Sequence, residues 1–240
     1  MPGVAGRVAR RAAYEVMTTA AMYPWPSVPI ARWMGHGVPI SPRTDIVIEG
    51  FPCSANSFTV AAFATSQPGP IRVAHHLHAP GHVIAAVRRS VPALVLIRRP
   101  RDAVLEFVRT KPSLTVAQAA RGYLRFYRPL LPFRDRFLVG TFDEVTTDLG
   151  SVVRRLNDRF GTSFAEFEPT DENVAKARAA GDRYWQSRAG PGLPLLGRGA
   201  SRSSPFGAGG ADASTRGSPG DARTADLLRR ASALYDDLTR

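Results

Sequence analysis

From Asp45 onward, short unbroken apolar runs alternate with segments of helical period, and this alternation constrains the fold more than any other feature of the chain. DIVIEGF, RVAHHLH and ALVLIRR read as strands, whereas NSFTVAAFA, PGHVIAAVRRS and PRDAVLEFVR read as the helices that follow each of them. Strands that are apolar throughout, rather than at every second residue, are buried on both faces, and the intervening helices supply the crossovers that parallel pairing requires. Further on, Ala119, Tyr123, Phe126 and Tyr127 recur at helical spacing within a helix from about 115 to 131. RFLVGTF adds a strand, and Val152, Val153, Leu156 and Phe160 mark an amphipathic helix closed by Gly161. The expected architecture is a three-layer α/β sandwich around a central, mostly parallel sheet.

The 240 residues suit one such domain with appendages. Residues 1–43 are expected to form an N-terminal basic helix and a connecting segment, 44–187 the α/β core, 188–220 a flexible linker and 221–240 a C-terminal amphipathic helix. The linker is expected because nine Gly, four Pro and five Ser fill 18 of its 33 positions, a composition poor at building a core. The last helix is expected because Leu227, Leu228, Ala231, Leu234, Tyr235 and Leu238 form an apolar stripe that should dock on the core or on a partner. Near the N-terminus, Arg7, Arg10 and Arg11 precede an apolar run as in a signal peptide. Glu15, Thr18 and Thr19 interrupt that run, so a basic surface helix is expected instead.

A formal net charge of +12 predicts attraction to anions, whether nucleic acid, anionic lipid or a phosphorylated or sulfated small molecule. Thirty of the 32 basic residues are arginine, whose fixed donors match oxyanions, although so lopsided a ratio equally reflects genomic base composition. The single cysteine, Cys53, excludes an internal disulfide framework and any zinc site built on paired thiolates, and it fits a reducing compartment. The expectation is a cytoplasmic protein, with peripheral contact to an anionic membrane through the basic N-terminal helix. The longest uncharged stretch, 50–71, holds Pro52, Asn56, Pro68 and Pro70 and would span a bilayer poorly.

Residues 46–63, IVIEGFPCSANSFTVAAF, carry the most chemical information. A buried strand enters a short turn of Pro52, Cys53, Ser54 and Ala55, and an apolar helix leaves it, so the first N–H groups of that helix point into the turn. With Ser54, Asn56 and Ser57 as further donors, such a turn suits a phosphate or sulfate; an ordinary capped strand-turn-helix fits the same residues. Compared with the nucleotide-triphosphatase loop GxxxxGKS, Gly50 and Ser57 are in place, but Ala55 and Asn56 stand where Gly and Lys belong. ATP hydrolysis is therefore disfavoured. A cysteine-phosphatase loop would need an arginine where Thr59 stands.

Four elements, in order over about residues 44 to 165, resemble the sulfotransferases that use 3′-phosphoadenosine 5′-phosphosulfate (PAPS). FPCSANSF resembles that family's YPKSGTTW-like turn through Pro52 and Ser54, with Ser57 a hydroxyl replacement and Phe58 at the adenine-contacting Trp. RVAHHLHAP resembles its KTHLP-like stretch and places His76 at the catalytic base. RRPRDAVLE resembles RNPKDVAVS through Arg98, Pro100, Arg101 and Asp102. Phe142, Asp143, Glu144 and Val145 resemble a later YEDL-like element. The resemblance implies a sulfotransferase-like, P-loop-related fold, PAPS as donor, and transfer of a sulfuryl group to a hydroxyl or amine of a small-molecule or carbohydrate acceptor. It also implies a 5′-phosphosulfate site at 51–58, a 3′-phosphate site at Arg98, and an adenine stack between Phe58 and Phe142.

Three departures bear on activity. Cys53 stands at the family's lysine and supplies no permanent charge; it is either a small turn filler or a thiolate favoured by the helix terminus. Ala55 replaces the glycine that permits close backbone approach. Glu106 replaces a serine expected at the 3′-phosphate. The RKG-like C-terminal loop is missing, with Arg188, Ala189 and Gly190 as its nearest remnant. These changes leave open a non-catalytic nucleotide-binding relative of the same fold, and the charge leaves open a nucleic-acid or membrane-binding module. His75, His76, His78 and His82 crowd into eight positions, and His76 and His78 are expected on one face of a strand. No carboxylate falls in that run, and no metal is assigned.

Overall fold

The computed structural model describes residues 4–34, 37–187 and 221–240. The linker expected over 188–220, with its Arg188-Ala189-Gly190 remnant, lies outside the described residues. Strands β1 (Ile46–Gly50), β2 (Val73–His75), β3 (Ala93–Ile97) and β4 (Leu138–Thr141) form one sheet in the order β2-β1-β3-β4, and every pair is parallel. The helices are α1 (Val4–Ala20), α2 (Pro24–Met34), α3 (Asn56–Ser66), α4 (Pro80–Arg88), α5 (Pro100–Thr110) and α6 (Val116–Tyr127). They continue with α7 (Phe142–Thr147), α8 (Leu149–Phe160), α9 (Asp171–Ser187) and α10 (Ala222–Thr239).

Alternate residues of each strand enter opposite layers, which makes this a three-layer sandwich. Val47, Val95, Ile97 and Val139 pack against α4, α5, α6 and α10. Ile46, Ile48, Leu94, Leu96 and Leu138 pack against α3, α8 and Ala177 of α9. Each fully buried aliphatic side chain contributes about 1.5–3 kcal/mol, so two filled faces explain why the strands are apolar without alternation. The helix expected from about 115 to 131 starts with a capping box between Thr115 and Gln118, and gives way at Arg128 to a 3-10 helix over Arg128–Arg136. Pro129 and Pro132 lack the N–H that an α-helix would need there. Gly161 closes α8 in the left-handed conformation, as its position implied.

The topology also makes a crevice. From β1 the chain runs through α3 on one face to β2, whereas from β3 it runs through α5 and α6 on the other face to β4. Neighbouring strands β1 and β3 thus send their following helices to opposite sides, and the gap at their carboxyl ends is where ligands bind in sheets of this kind. Gly50 permits that closeness, because a Cβ there would lie 2.5 Å from the Leu96 carbonyl oxygen.

Two appendages complete the domain. The stripe of α10 faces inward, with Leu227, Ala231, Leu234 and Leu238 buried against the layer that holds α5 and α6, and Asp221 caps the helix through the Thr224 N–H at 2.7 Å. Helix α1 lies on α6, where Glu15 pairs with Arg121 at 2.8 Å and with Arg125. Among the described residues, no helix is long and apolar enough to cross a membrane.

Candidate functional site

The turn after β1 is shaped by two residues with positive φ. Cys53 and Ala55 both have left-handed backbones, φ 67° and 66°, and Ala55 takes the N-cap position of α3 without any side-chain cap. A glycine would adopt such dihedrals freely. Ala55 adopts them at a cost of about 1–2 kcal/mol, so the turn keeps its path despite the added methyl group. Asn56 fixes the turn from within, because its Nδ2 donates to the Phe51 carbonyl at 3.0 Å. The Ser54 hydroxyl is buried in the turn beside the Tyr127 hydroxyl, and that of Thr59 is buried one turn into α3 with no hydrogen-bond partner. An anion seated at the helix terminus would accept from the first N–H groups of α3 and from Ser54.

Arg98 stands across the crevice at the end of β3. Its Nη1 donates to the Cys53 carbonyl at 3.2 Å, while its guanidinium carbon lies 4.1 Å from the centroid of the Phe142 ring. The cation is therefore held between the turn and the first residue of α7, joining three of the four elements singled out in the sequence. Tyr123 secures its backbone by donating to the Arg98 carbonyl at 2.9 Å. Beside it opens a cavity of about 270 Å³ lined by Arg98, Arg99, Asp102, Phe142, Asp143 and Tyr235.

Phe58 does not join Phe142. It is buried in the layer that holds α3 and α8, edge-on to Phe167 with ring centroids 6.0 Å apart. Glu106 is engaged by Arg109 through two hydrogen bonds of 3.0 and 2.6 Å, and that partnership, against a smaller opposing effect of burial, holds its carboxyl below the ordinary range. Pro52 lies half-buried in the turn. The Cys53 thiol is pushed up to about 11, first by burial and then by the neighbouring Glu106 charge. It is a neutral thiol at physiological pH, not a thiolate.

On the far side of the turn lies the histidine cluster. Strand β2 ends at His75, and both His76 and His78 have left-handed backbones, φ 61° and 50°. The shared strand face expected for this pair is therefore replaced by a tight loop. His76 Nε2 lies 3.1 Å from the Ser57 hydroxyl, and its Nδ1 meets His75 Nδ1. If His76 Nδ1 carries the proton of that pair, Nε2 faces Ser57 as the acceptor. Tyr184 of α9 stacks on His76 at 5.7 Å between centroids and covers it from solvent.

Glu49, the penultimate residue of β1, holds this loop in shape. It is fully buried and accepts from the Leu77 N–H at 2.7 Å, the His78 N–H at 3.0 Å and His82 Nδ1 at 3.0 Å. The Ile40 N–H donates to His82 Nε2 at 2.8 Å, which places the proton of a neutral imidazole on Nδ1, aimed at the carboxylate. Burial pushes the Glu49 carboxyl up, but the His82 bond and its other partners outweigh that and hold it below its ordinary value. Sequence reasoning missed this residue. A lone Glu in an apolar strand is the only available signal. Among the described residues, no three His, Cys, Asp or Glu side chains converge as metal ligands.

No protein-family model and no curated protein matches the chain. Its structure is similar to the crystal structure of a mouse sulfotransferase complexed with PAP, with a TM-score of 0.39 and 13% sequence identity over 62% of this chain and 66% of that chain. The chain thus spans just under two thirds of that chain's length.

Proposed function

We propose that this chain binds PAPS in the β1–β3 crevice and transfers its sulfuryl group to a hydroxyl or amine acceptor. The observation that carries the reading is the Arg98 guanidinium, held at once on the Cys53 carbonyl of the turn and on the Phe142 ring. Around it, the start of α3, which has no side-chain cap, and the buried Ser54 hydroxyl next to it suit an oxyanion. Bound PAPS would supply an activated sulfonate on a phosphate leaving group.

Each residue then has a task set by its place. The α3 terminus and Ser54 would hold the 5′-phosphosulfate, and Arg98 would place positive charge at the crevice for the 3′-phosphate. His76 would act as base. Because its Nε2 is engaged by Ser57 and its ring is covered by Tyr184, the proton would reach it through the Ser57 hydroxyl. The Arg109 partnership removes part of the repulsion that Glu106 would exert on a phosphate.

A second reading, a nucleotide-binding relative without catalysis, draws on the neutral thiol at Cys53 and the enclosure of His76. Thermal unfolding with 3′-phosphoadenosine 5′-phosphate, with ATP and inorganic sulfate as controls, tests the site, because a ligand of the native state alone raises the transition temperature. A selective rise supports the site. No rise for the wild type or for Cys53→Arg removes both readings. Transfer from labelled PAPS that is lost in His76→Ala separates the enzyme from the binding protein.

A further inference from the structure

Helix α1 packs Tyr14 inward against Phe107, turns Arg11 and Glu15 toward the protein as well, and leaves an uncharged stripe on its outer face. Arg11 Nε donates to the Ser113 carbonyl at 2.8 Å, and Glu15 is taken up by Arg121 and Arg125. The exposed positions along the helix are Ala5, Val8, Ala9, Ala12, Val16 and Thr19, none of them charged. Their spacing of three or four residues, broken once by a single step, draws one stripe about 21 Å long. Past its end stand Tyr23 and Trp25. The exposed large hydrophobic side chains among the described residues are Val8 at 58%, Val16 at 67%, Tyr23 at 60% and Trp25 at 85%; the first two lie on the stripe, Tyr23 lines a groove with Val16 and Thr19, and Trp25 follows two positions later. A surface helix in a globular protein normally presents charged and polar residues on its outer face.

Charge indicates what covers the stripe. Beside Arg10 and Arg11, helix α1 carries a single acid, Glu15, which is already shared by two arginines of α6. Arg10 also lies close enough to Lys111 that, after burial, its charge is the next cause holding that ammonium below its ordinary range. The flank of the stripe is thus positive. A second copy of the chain laid against it would bring like charges together, whereas an anionic surface would meet apolar stripe and basic flank at once.

We propose that the outer face of α1, continued by Tyr23 and Trp25, is a docking surface for an anionic lipid bilayer. The helix lies in the plane of the interface with Val8 and Val16 entering the acyl boundary. Tyr23 and Trp25 sit at headgroup level, where amphipathic rings are favoured, and the half-buried Arg10 beside the stripe keeps positive charge near the phosphate and carboxylate groups. Nothing in this proposal depends on the sulfuryl-transfer reading.

The test is co-sedimentation of the full chain with vesicles of phosphatidylcholine alone and of phosphatidylcholine mixed with phosphatidylserine. Binding to the mixed vesicles is expected, with weak binding to the neutral ones. The double variant Val8→Asp and Val16→Asp should lower the partition onto mixed vesicles roughly tenfold or more. Trp25→Ala, which alters only the most exposed of these side chains, should weaken it in the same direction and serves if the double variant melts early. Three results would overturn the proposal. They are absence of binding to mixed vesicles, equal binding by wild type and variants, and self-association of the wild type that the double variant abolishes.

Discussion

Glu49 Oε1 accepts the Nδ1 proton of His82 at 3.0 Å, with neither side chain reaching solvent and 33 positions of chain between them. The same carboxylate receives the Leu77 and His78 N–H groups, so one buried acid sets the path of the loop that carries His76. Removing it strands three donors at once. Glu49→Ala should destabilise the fold by roughly 3–5 kcal/mol in urea unfolding, the range found when one partner of a buried charged group is deleted.

The same residue predicts an acid limb. Its folded carboxyl lies below its ordinary value of 4.5, so as pH falls the unfolded chain takes up the proton first. The stabilisation is complete above that value, shrinks below it, and is gone once pH drops through the folded pKa. Urea midpoints measured from neutral pH down into this range should fall more steeply for the wild type than for Glu49→Gln, which has no proton to gain.

Ala55 gives a prediction of opposite sign. Its φ of 66° suits glycine, and the gain from relieving it exceeds the extra freedom that glycine gives the unfolded chain. Ala55→Gly should raise stability by up to about 1 kcal/mol in equilibrium unfolding and should strengthen binding of 3′-phosphoadenosine 5′-phosphate by calorimetry, because the backbone N–H groups become easier to approach.

Cys53 should behave as an unreactive thiol. With its pKa pushed up to about 11, roughly a thousandth of it is thiolate at pH 8. Alkylation by iodoacetamide, followed by mass spectrometry, should be slow at neutral pH and climb until about pH 11. Rapid labelling at pH 7 would contradict the buried environment described above.

Much of the fold is legible in the sequence because it depends on local repetition. Unbroken apolar runs such as ALVLI announce strands covered on both sides, and Gly161 announces the end of α8. The turn, His76 and Arg98 stand out for the same reason: each sits at a strand end in a recognisable local string. What escapes is whatever depends on distant pairing. Glu49 gives no local hint that its partner is His82. Helix α9, with Tyr184 over His76, carries its few apolar residues too sparsely to reveal which neighbour it covers. Phe58 and Phe142 share an aromatic character that the sequence cannot separate, yet Phe58 packs on Phe167 in the core while Phe142 lies under the Arg98 guanidinium. The orientation of α1 is likewise hidden, since its composition reads as a basic surface helix and only docking on α6 shows that the acid and an arginine point inward.

The strand order β2-β1-β3-β4 has a consequence for how such a chain can change over time. The cleft exists because α3 and α5 depart to opposite faces, not because of the side chains at its mouth. Its specificity can therefore be rewritten in two short loops without recutting the core. If the crevice binds PAPS as proposed, changes at Cys53, Ala55 and Glu106 would alter which ligand is retained while the socket persists, so loss and recovery of binding would be separated by a few changes at its rim.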